Sequence, residues 1–294
     1  MEPKVAIIIL NWNGKKDTIE CLESLKHITY PNYELLLVDN GSTDGSVECF
    51  RERYPGMEII ENSENLGFAE GNNVGIRMAM EKGVDYVLLL NNDTVVDPEF
   101  LGELVKVVEG DEMIGFAGPL VYYYNYNGRK DIITHAGGKL DMWKGNSYSV
   151  GRNKIDDGRY KKVKEVDYVE GSCILIKKDL INRIGLLDPV FFTYWEETDW
   201  CMRGYRAGFK SVFVPDAKIW HKVARSNKNG IREFYMVRNK IWFMKKYASK
   251  LQYFSFITYF LLFRFWKTNG ILLIYQKDFK SFTSFLKGIF AGFM

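Results

Sequence analysis

The 294-residue sequence has only four cysteines, no long uninterrupted apolar run, no internal repeat and no low-complexity segment. Cys21, Cys49, Cys173 and Cys201 stand far apart and form no CxxC pair. That excludes a disulfide frame and a zinc site, and reads as reduced, mostly buried thiols of a cytosolic protein. No segment offers the roughly 18 or more uncharged apolar residues of a membrane-spanning helix. The short run Val5 to Leu10 after Met1-Glu2-Pro3-Lys4 is too brief for a signal-peptide core and reads as a first strand. No GxGxxG follows that strand, which argues against NAD binding.

What is present is an ordinary globular composition, 47% apolar, enough for one large domain or one domain plus an appendage. The formal charge of +3 hides an asymmetry. From Arg225 onward there are 13 Lys and Arg against two Asp and Glu, whereas the first 224 residues carry 27 against 35. An acidic body followed by a basic, aromatic tail points to an anionic surface as partner.

The first half alternates. Val5–Leu10, Tyr33–Val38, Met57–Glu61 and the apolar run from Tyr86 read as strands. Helical spacing covers Lys15–Lys26, the stretch to about Tyr54, and the stretch from Gly67 to about Lys82. This is the pattern of a doubly wound, mostly parallel α/β sheet. Beyond Asp93 the order loosens. Pro98–Glu109 reads as a helix, Ile114–Tyr123 as a strand, and Asn125–Arg159 as a long excursion with a hairpin. Val163–Val169, Cys173–Ile176 and Ser211–Val214 read as strands, Asp179–Ile184 and Glu196–Ala207 as helices, and the tail from Arg232 as helices.

Each early strand ends in polar, glycine-rich sequence at one sheet edge, where open α/β sheets bind ligands. Asp39 follows Leu35-Leu36-Leu37-Val38, and Asp93 follows Leu88-Leu89-Leu90-Asn91-Asn92. A carboxylate at the first place can accept a ring N–H of uracil, thymine or guanine. One at the second can hold a divalent cation that neutralises a diphosphate. Taken alone, Asn91-Asn92-Asp93 reads first as a polar turn. The acids of Glu196-Glu197-Thr198-Asp199 divide evenly between helix capping and catalysis.

Four stretches occur together: Val38-Asp39-Asn40-Gly41-Ser42-Thr43-Asp44-Gly45-Ser46, Asn65-Leu66-Gly67-Phe68-Ala69-Glu70-Gly71-Asn72-Asn73-Val74-Gly75, Leu90-Asn91-Asn92-Asp93-Thr94, and Trp195-Glu196-Glu197-Thr198-Asp199-Trp200-Cys201-Met202-Arg203. Over roughly Lys4 to Asn239 the chain resembles family 2 glycosyltransferases, with the rhamnosyltransferase-like branch the nearest in look. The resemblance implies a GT-A fold, a nucleotide-diphosphate-sugar donor (UDP-, dTDP- or GDP-linked), a divalent cation (Mg²⁺ or Mn²⁺) and inversion at the anomeric carbon. It implies base and ribose contacts at Asn11 and Asp39, donor binding also at Asn40, and a donor-side loop and helix at Asn65, Gly67 and Asn72. Asn91-Asn92-Asp93 stands where the family has its Asp-x-Asp metal motif, so Asp93 is the expected metal ligand beside Asn92. The missing first carboxylate implies metal affinity that depends on the diphosphate. Glu196-Glu197 stands where the family has Glu-Asp, with Glu197 the expected general base. Glu196 and Asp199 are expected to raise its pKa by repulsion. His221 is implied as a further metal or diphosphate ligand.

Arg225 and Arg238-Asn239 read either as diphosphate contacts or as a solvated basic face. Gly171-Ser172 are candidates to line the sugar pocket, and Trp195 is either a sugar platform or a core aromatic. The tail mixes aromatics with Lys and Arg, which suggests interfacial helices, or else packing on protein. The expectation is a catalytic domain over 1–228, with a nucleotide half to about 120 and an acceptor half after it, and a helical region over 229–294. The acceptor is a glycan or lipid-linked hydroxyl, at the cytoplasmic face of the plasma membrane, with no nucleic-acid partner and oligomeric state left open. A non-catalytic scaffold on the same fold and a sugar nucleotidyltransferase stand as alternatives.

Overall fold

A computed structural model describes residues 2–223 and 230–294. The chain forms two compact units. One comprises Met1–Lys139, Ser149–Phe192 and Glu196–Val223; the other comprises Leu140–Tyr148, Thr193–Trp195 and Ala224–Met294. The boundary expected at 228/229 lies outside the described residues.

The first unit opens with β1 (Val5–Asn11), α1 (Lys15–Leu25), β2 (Tyr33–Asp39), α2 (Ser46–Arg53), β3 (Glu58–Glu61), α3 (Gly67–Glu81) and β4 (Tyr86–Asn91). Val5 through Ile9 and Tyr86 through Leu90 are all buried, as β-branched and leucine runs must be when helices cover both sheet faces. Each such side chain contributes about 1.5–3 kcal/mol on burial. β1 pairs in parallel with β2 and β4, in a register that sets Asn11 opposite Asp39 and Leu10 opposite Asn91. The polar strand ends therefore meet at one edge.

Next come β5 (Thr94–Val96), α4 (Phe100–Glu109), β6 (Ile114–Tyr123), β7 (Ile133–His135), β8 (Gly138–Asp141), β9 (Asn146–Ser149), β10 (Lys164–Val166), β11 (Cys173–Lys177), α5 (Lys178–Ile184), α6 (Glu196–Arg206) and β12 (Lys210–His221). The sheet runs β10-β12-β6-β11-β4-β1-β2-β3, with β5 on β12 and β7 on β6. β11 is antiparallel to β4 and β6, and β12 is parallel to β6. The parallel core is thus extended beyond β4 by a mixed sheet.

β12 is longer than its apolar run. The sequence suggests a stop at Val214 because Pro215 follows, but the strand carries Pro215 in an irregularity between Val214 and Lys218. A bulge is where a strand tolerates a residue without an N–H. The continuation pairs with β5 and brings His221 opposite Thr94. The four cysteines are free, and all but Cys49 are buried.

The second unit is built on α7 (Ile231–Tyr247), α8 (Lys250–Tyr259), a π-helical segment Phe260–Arg264, α9 (Phe265–Asn269), a second π-helical segment Gly270–Tyr275, and α10 (Phe279–Phe293). α8 begins with a capping box from Ser249 and Gln252. α10 lies close on α7 because Gly288 faces the Phe234 carbonyl, where a Cβ would stand 2.5 Å away. Phe256, Phe260, Leu272 and Phe285 are buried, whereas Phe254, Trp266, Ile274 and Tyr275 are mostly exposed. Among the described residues, no helix is long and apolar enough to cross a membrane.

Candidate active site

The edge where β1, β2 and β4 end is a hydrogen-bonded network. Asn11 Nδ2 donates to Asp39 Oδ2 at 2.7 Å and to Ser42 Oγ at 3.0 Å. Asn11 Oδ1 accepts from Thr18 Oγ1 at 2.8 Å and from the Gly14 N–H at 3.2 Å. Asn92 Nδ2 donates to Thr18 Oγ1 at 2.8 Å and to Asn11 Oδ1 at 3.3 Å. Asp39 Oδ1 accepts the Ser42 N–H at 2.8 Å. The Asp39 carboxylate is buried yet keeps a lone pair on each oxygen for a further donor. Asn11, expected to touch base or ribose, has both amide donors committed here and so orients Asp39 instead.

The Asn40 amide is likewise engaged within the chain. Its Nδ2 donates to Asn65 Oδ1 and to the Gly67 carbonyl, and its Oδ1 accepts from Asn62 Nδ2 and the Leu66 N–H. With all four positions used, it fastens the 62–67 loop to the end of β2. Asn65 Oδ1 also accepts the Gly67 N–H at 2.9 Å, and Asn72 Nδ2 donates to the Phe68 carbonyl at 2.9 Å. Gly67 has φ +81°, and a Cβ there would stand 2.5 Å from the Phe192 ring. The Phe68 and Ala69 N–H groups donate to the Phe192 carbonyl at 2.6 and 3.1 Å.

At the end of β4, Asp93 Oδ1 lies 3.0 Å from His221 Nε2. His221 Nδ1 is buried and has no hydrogen-bond partner. Burial pulls the His221 imidazolium down, but the hydrogen bond and charge of Asp93, with Glu170 adding, leave its pKa raised. The Lys222 N–H donates to the Asp93 carbonyl at 2.9 Å, and Lys222 Nζ is held by Asp17 and Glu20, each at 2.6 Å. Among the described residues, no three His, Cys, Asp or Glu side chains cluster as a ready-made metal cage. One carboxylate and one imidazole, with a ring nitrogen unpartnered, fit a cation whose other ligands come from a diphosphate and water.

The acids of α6 divide by environment. Glu196 is buried, its Oε2 has no partner, and burial first, then the charge of Glu197, push its pKa well up. Glu197 is half-buried, and burial, helped by the charge of Glu170, pushes its pKa up to about 7. Asp199 does not do what the sequence suggested. It is fully buried against Arg203, whose Nε donates at 2.8 Å, and that guanidinium also binds the Ile184 and Leu186 carbonyls. Asp199 is therefore held in an ion pair, and the charge of Glu170 acts on Glu197 beside its interaction with Glu196. Glu170 was missed, although Glu170-Gly171-Ser172 precedes β11 with the polar, glycine-bearing signature used elsewhere. Gly171 does lie beside Glu197: a Cβ there would be 3.9 Å from the Glu197 Cβ.

Within the second unit, Trp195 is a core aromatic, 5.0 Å from the Phe243 ring. Tyr194 and Trp195 have φ of +67° and +77°, each costing about 1–3 kcal/mol. Asn239 Nδ2 donates to the Thr193 and Tyr194 carbonyls at 2.8 and 2.7 Å, holding that strained turn. Arg238 lies over the Trp242 ring at 4.2 Å. Arg238 and Asn239 are thus engaged in packing within the second unit, and Arg225 lies outside the described residues.

A mixed sheet with carboxylates gathered at the ends of its parallel strands, and a raised-pKa glutamate beside them, defines a GT-A-type glycosyltransferase. The sequence profile described as glycosyl transferase family 2 matches residues 6–185, and the chain belongs to that family. It is rhamnosyltransferase-like. It is 27% identical over 223 residues to the N-acetylglucosaminyl-diphospho-decaprenol L-rhamnosyltransferase of Mycobacterium tuberculosis, covering 70% of this chain and 71% of that protein. Its fold matches the mannosyltransferase PcManGT from Pyrobaculum calidifontis, solved with GDP-Man and Mn²⁺, at a TM-score of 0.63 and 14% identity, over 100% of this chain and 88% of that one. It also matches GalNAc-T7, solved with UDP, GalNAc and Mn²⁺, at a TM-score of 0.61 and 20% identity, over 74% of this chain and 43% of that one. Family membership sets aside the scaffold and nucleotidyltransferase alternatives.

Proposed function

We propose that the protein transfers a sugar, with inversion, from a UDP-, dTDP- or GDP-linked donor to a hydroxyl of a lipid-linked glycan. The observation that carries this is the placement of Glu170, whose charge acts on both Glu197 and His221. With the Gly171 Cβ position 3.9 Å from the Glu197 Cβ, it supports reading the candidate base and the candidate metal pair as one site.

In this reading Asp39, oriented by Asn11, accepts the base N–H, and the loop fastened by Asn40 and Asn65 lies along the donor. Asp93 and His221 would hold Mn²⁺ or Mg²⁺, and a mixed oxygen and nitrogen set favours Mn²⁺. When bound, the cation supplies positive charge against the departing diphosphate. Glu197 takes the acceptor proton as the acceptor oxygen forms its bond to the anomeric carbon. The bond from that carbon to the phosphate oxygen breaks with its electron pair, and the nucleoside diphosphate leaves. Burial and the charge of Glu197 raise the pKa of Glu196, which disfavours a second negative charge beside the base.

A lipid-linked acceptor suits the relative in Mycobacterium tuberculosis, whose name contains a diphospho-decaprenol. It also suits the second unit's exposed aromatics, which would rest on the cytoplasmic membrane face. The nucleotide half would span residues to about 120, and the acceptor half those to about 228. The test is turnover of the three donor classes with Mn²⁺, with the product anomer read by NMR. Retained configuration would exclude a single-displacement role for Glu197.

A further inference from the structure

The second unit contains a cavity of about 220 Å³ that the transfer reaction does not use. Four cations line it: Arg232, Lys240, Arg264 and Lys267. A single carboxylate, Glu233, is also present, 3.6 Å from Arg232. Among the described residues, Lys240, Arg264 and Lys267 have no carboxylate within ion-pair distance. Lys240 is 8% exposed; among the described residues its Nζ donates only to Asn146 Oδ1, at 3.3 Å, and it lies 5.9 Å from the Trp195 ring centroid. Burial first, then the charge of Arg264, pull the Lys240 ammonium down to about 7. A buried cation with a cationic neighbour is costly unless an anion joins it.

The rest of the lining is mostly apolar, with Phe260, Leu272 and Phe285 buried, and adds the polar side chains of Thr268 and Gln276. Two π-helical segments form part of the wall, Phe260–Arg264 and Gly270–Tyr275. Such turns are rare and concentrate at functional sites. Here they place Arg264, Ile271 and Leu272 on the cavity, while Leu262, Phe263, Ile274 and Tyr275 on the same segments are exposed. Cations on the cavity and bare aromatics on the same turns match a ligand with a phosphate head and an apolar tail.

We propose that this cavity binds the terminal phosphate of a membrane lipid, a phosphomonoester or diphosphate headgroup, between Lys240, Arg264 and Lys267. The volume is many times the roughly 10–15 Å³ one water needs, so the headgroup enters with part of its hydration. Binding would restore the proton to Lys240 and close the charge imbalance. Its lining shares no residue with those assigned to the donor, and its test reads binding alone, so it stands or falls independently of glycosyl transfer.

The experiment is co-sedimentation of the full chain with phosphatidylcholine vesicles. One set carries phosphatidic acid, one a polyprenyl diphosphate, and one phosphatidylglycerol at matched surface charge. The first two should be bound about fivefold or more tighter than the third, because a diester offers fewer anionic oxygens. Lys240→Met keeps the buried stem and removes the charge, so the fold should melt no lower than wild type. It should erase that preference, as should Arg264→Gln with Lys267→Gln. Binding that follows vesicle charge alone, in wild type and variants alike, would overturn the proposal. Inorganic pyrophosphate bound as tightly as the lipids would overturn the lipid source and make the ligand a soluble anion.

Discussion

Replacing Glu197 by Gln removes the proposed base while keeping the side chain's size. General-base catalysis is worth about 10²–10⁴ in rate, or roughly 2.7–5.5 kcal/mol of barrier, and the variant should lose that much in kcat/KM. The pH profile is the sharper test. A base with a pKa of about 7 is about one-tenth ionised at pH 6 and nine-tenths at pH 8. Wild-type kcat/KM should therefore climb roughly ninefold over that interval. A glutamate at its ordinary 4.5 would give a flat profile there. Glu170→Gln removes a like charge, so the acid limb should move to lower pH while a base remains. The assay is initial-rate donor turnover at saturating Mn²⁺ in overlapping buffers. A Glu197→Gln variant that kept a tenth of the rate and the same limb would refute the assignment.

Asp93→Ala or His221→Ala should weaken Mn²⁺-dependent binding of a nucleoside diphosphate at least tenfold. Each tenfold removes about 1.4 kcal/mol of ligand stabilisation, visible as a smaller thermal shift, with the unliganded melting temperature little changed. Gly67→Ala meets Phe192 and a positive φ together, so it should cost about 2 kcal/mol or more in urea unfolding and weaken donor binding. Glu196 binds its proton more tightly folded than unfolded, so wild-type stability should fall as pH rises from its ordinary 4.5 toward the raised folded value. Glu196→Gln should match wild type near the acid end and be the more stable protein at pH 8, measured by denaturant midpoints.

The alternating half of the fold was legible because its signals are local. Apolar runs such as Ile7-Ile8-Ile9 and Leu88-Leu89-Leu90 end at Asn, Asp and Gly, which marks both strand and edge. β5 is only three residues, too short for periodicity to register. The second half of β12 was hidden by Pro215 and by Asp216 and Lys218, because its pairing comes from β6 and β5 and not from its own composition. In the site, Asp93, His221, Glu196 and Glu197 were all nameable. Their neighbours were not. That Arg203 would neutralise Asp199, that Asn40 would spend its whole amide on a loop, and that Glu170 would face Glu197 are facts of tertiary placement.

The register of β12 on β5 has a consequence for how the protein comes to be active. Asp93 emerges early in synthesis with β4, but its partner His221 arrives only after the chain has threaded β6, β11 and the bulged β12. Closing a loop of that length is a late, entropically expensive event. A nascent or partly unfolded chain can thus assemble the nucleotide edge from β1, β2 and β4 and still lack the metal pair. On the proposed reading, metal competence would be withheld until the sheet is complete, so a half-built transferase could hold a donor without being equipped to spend it.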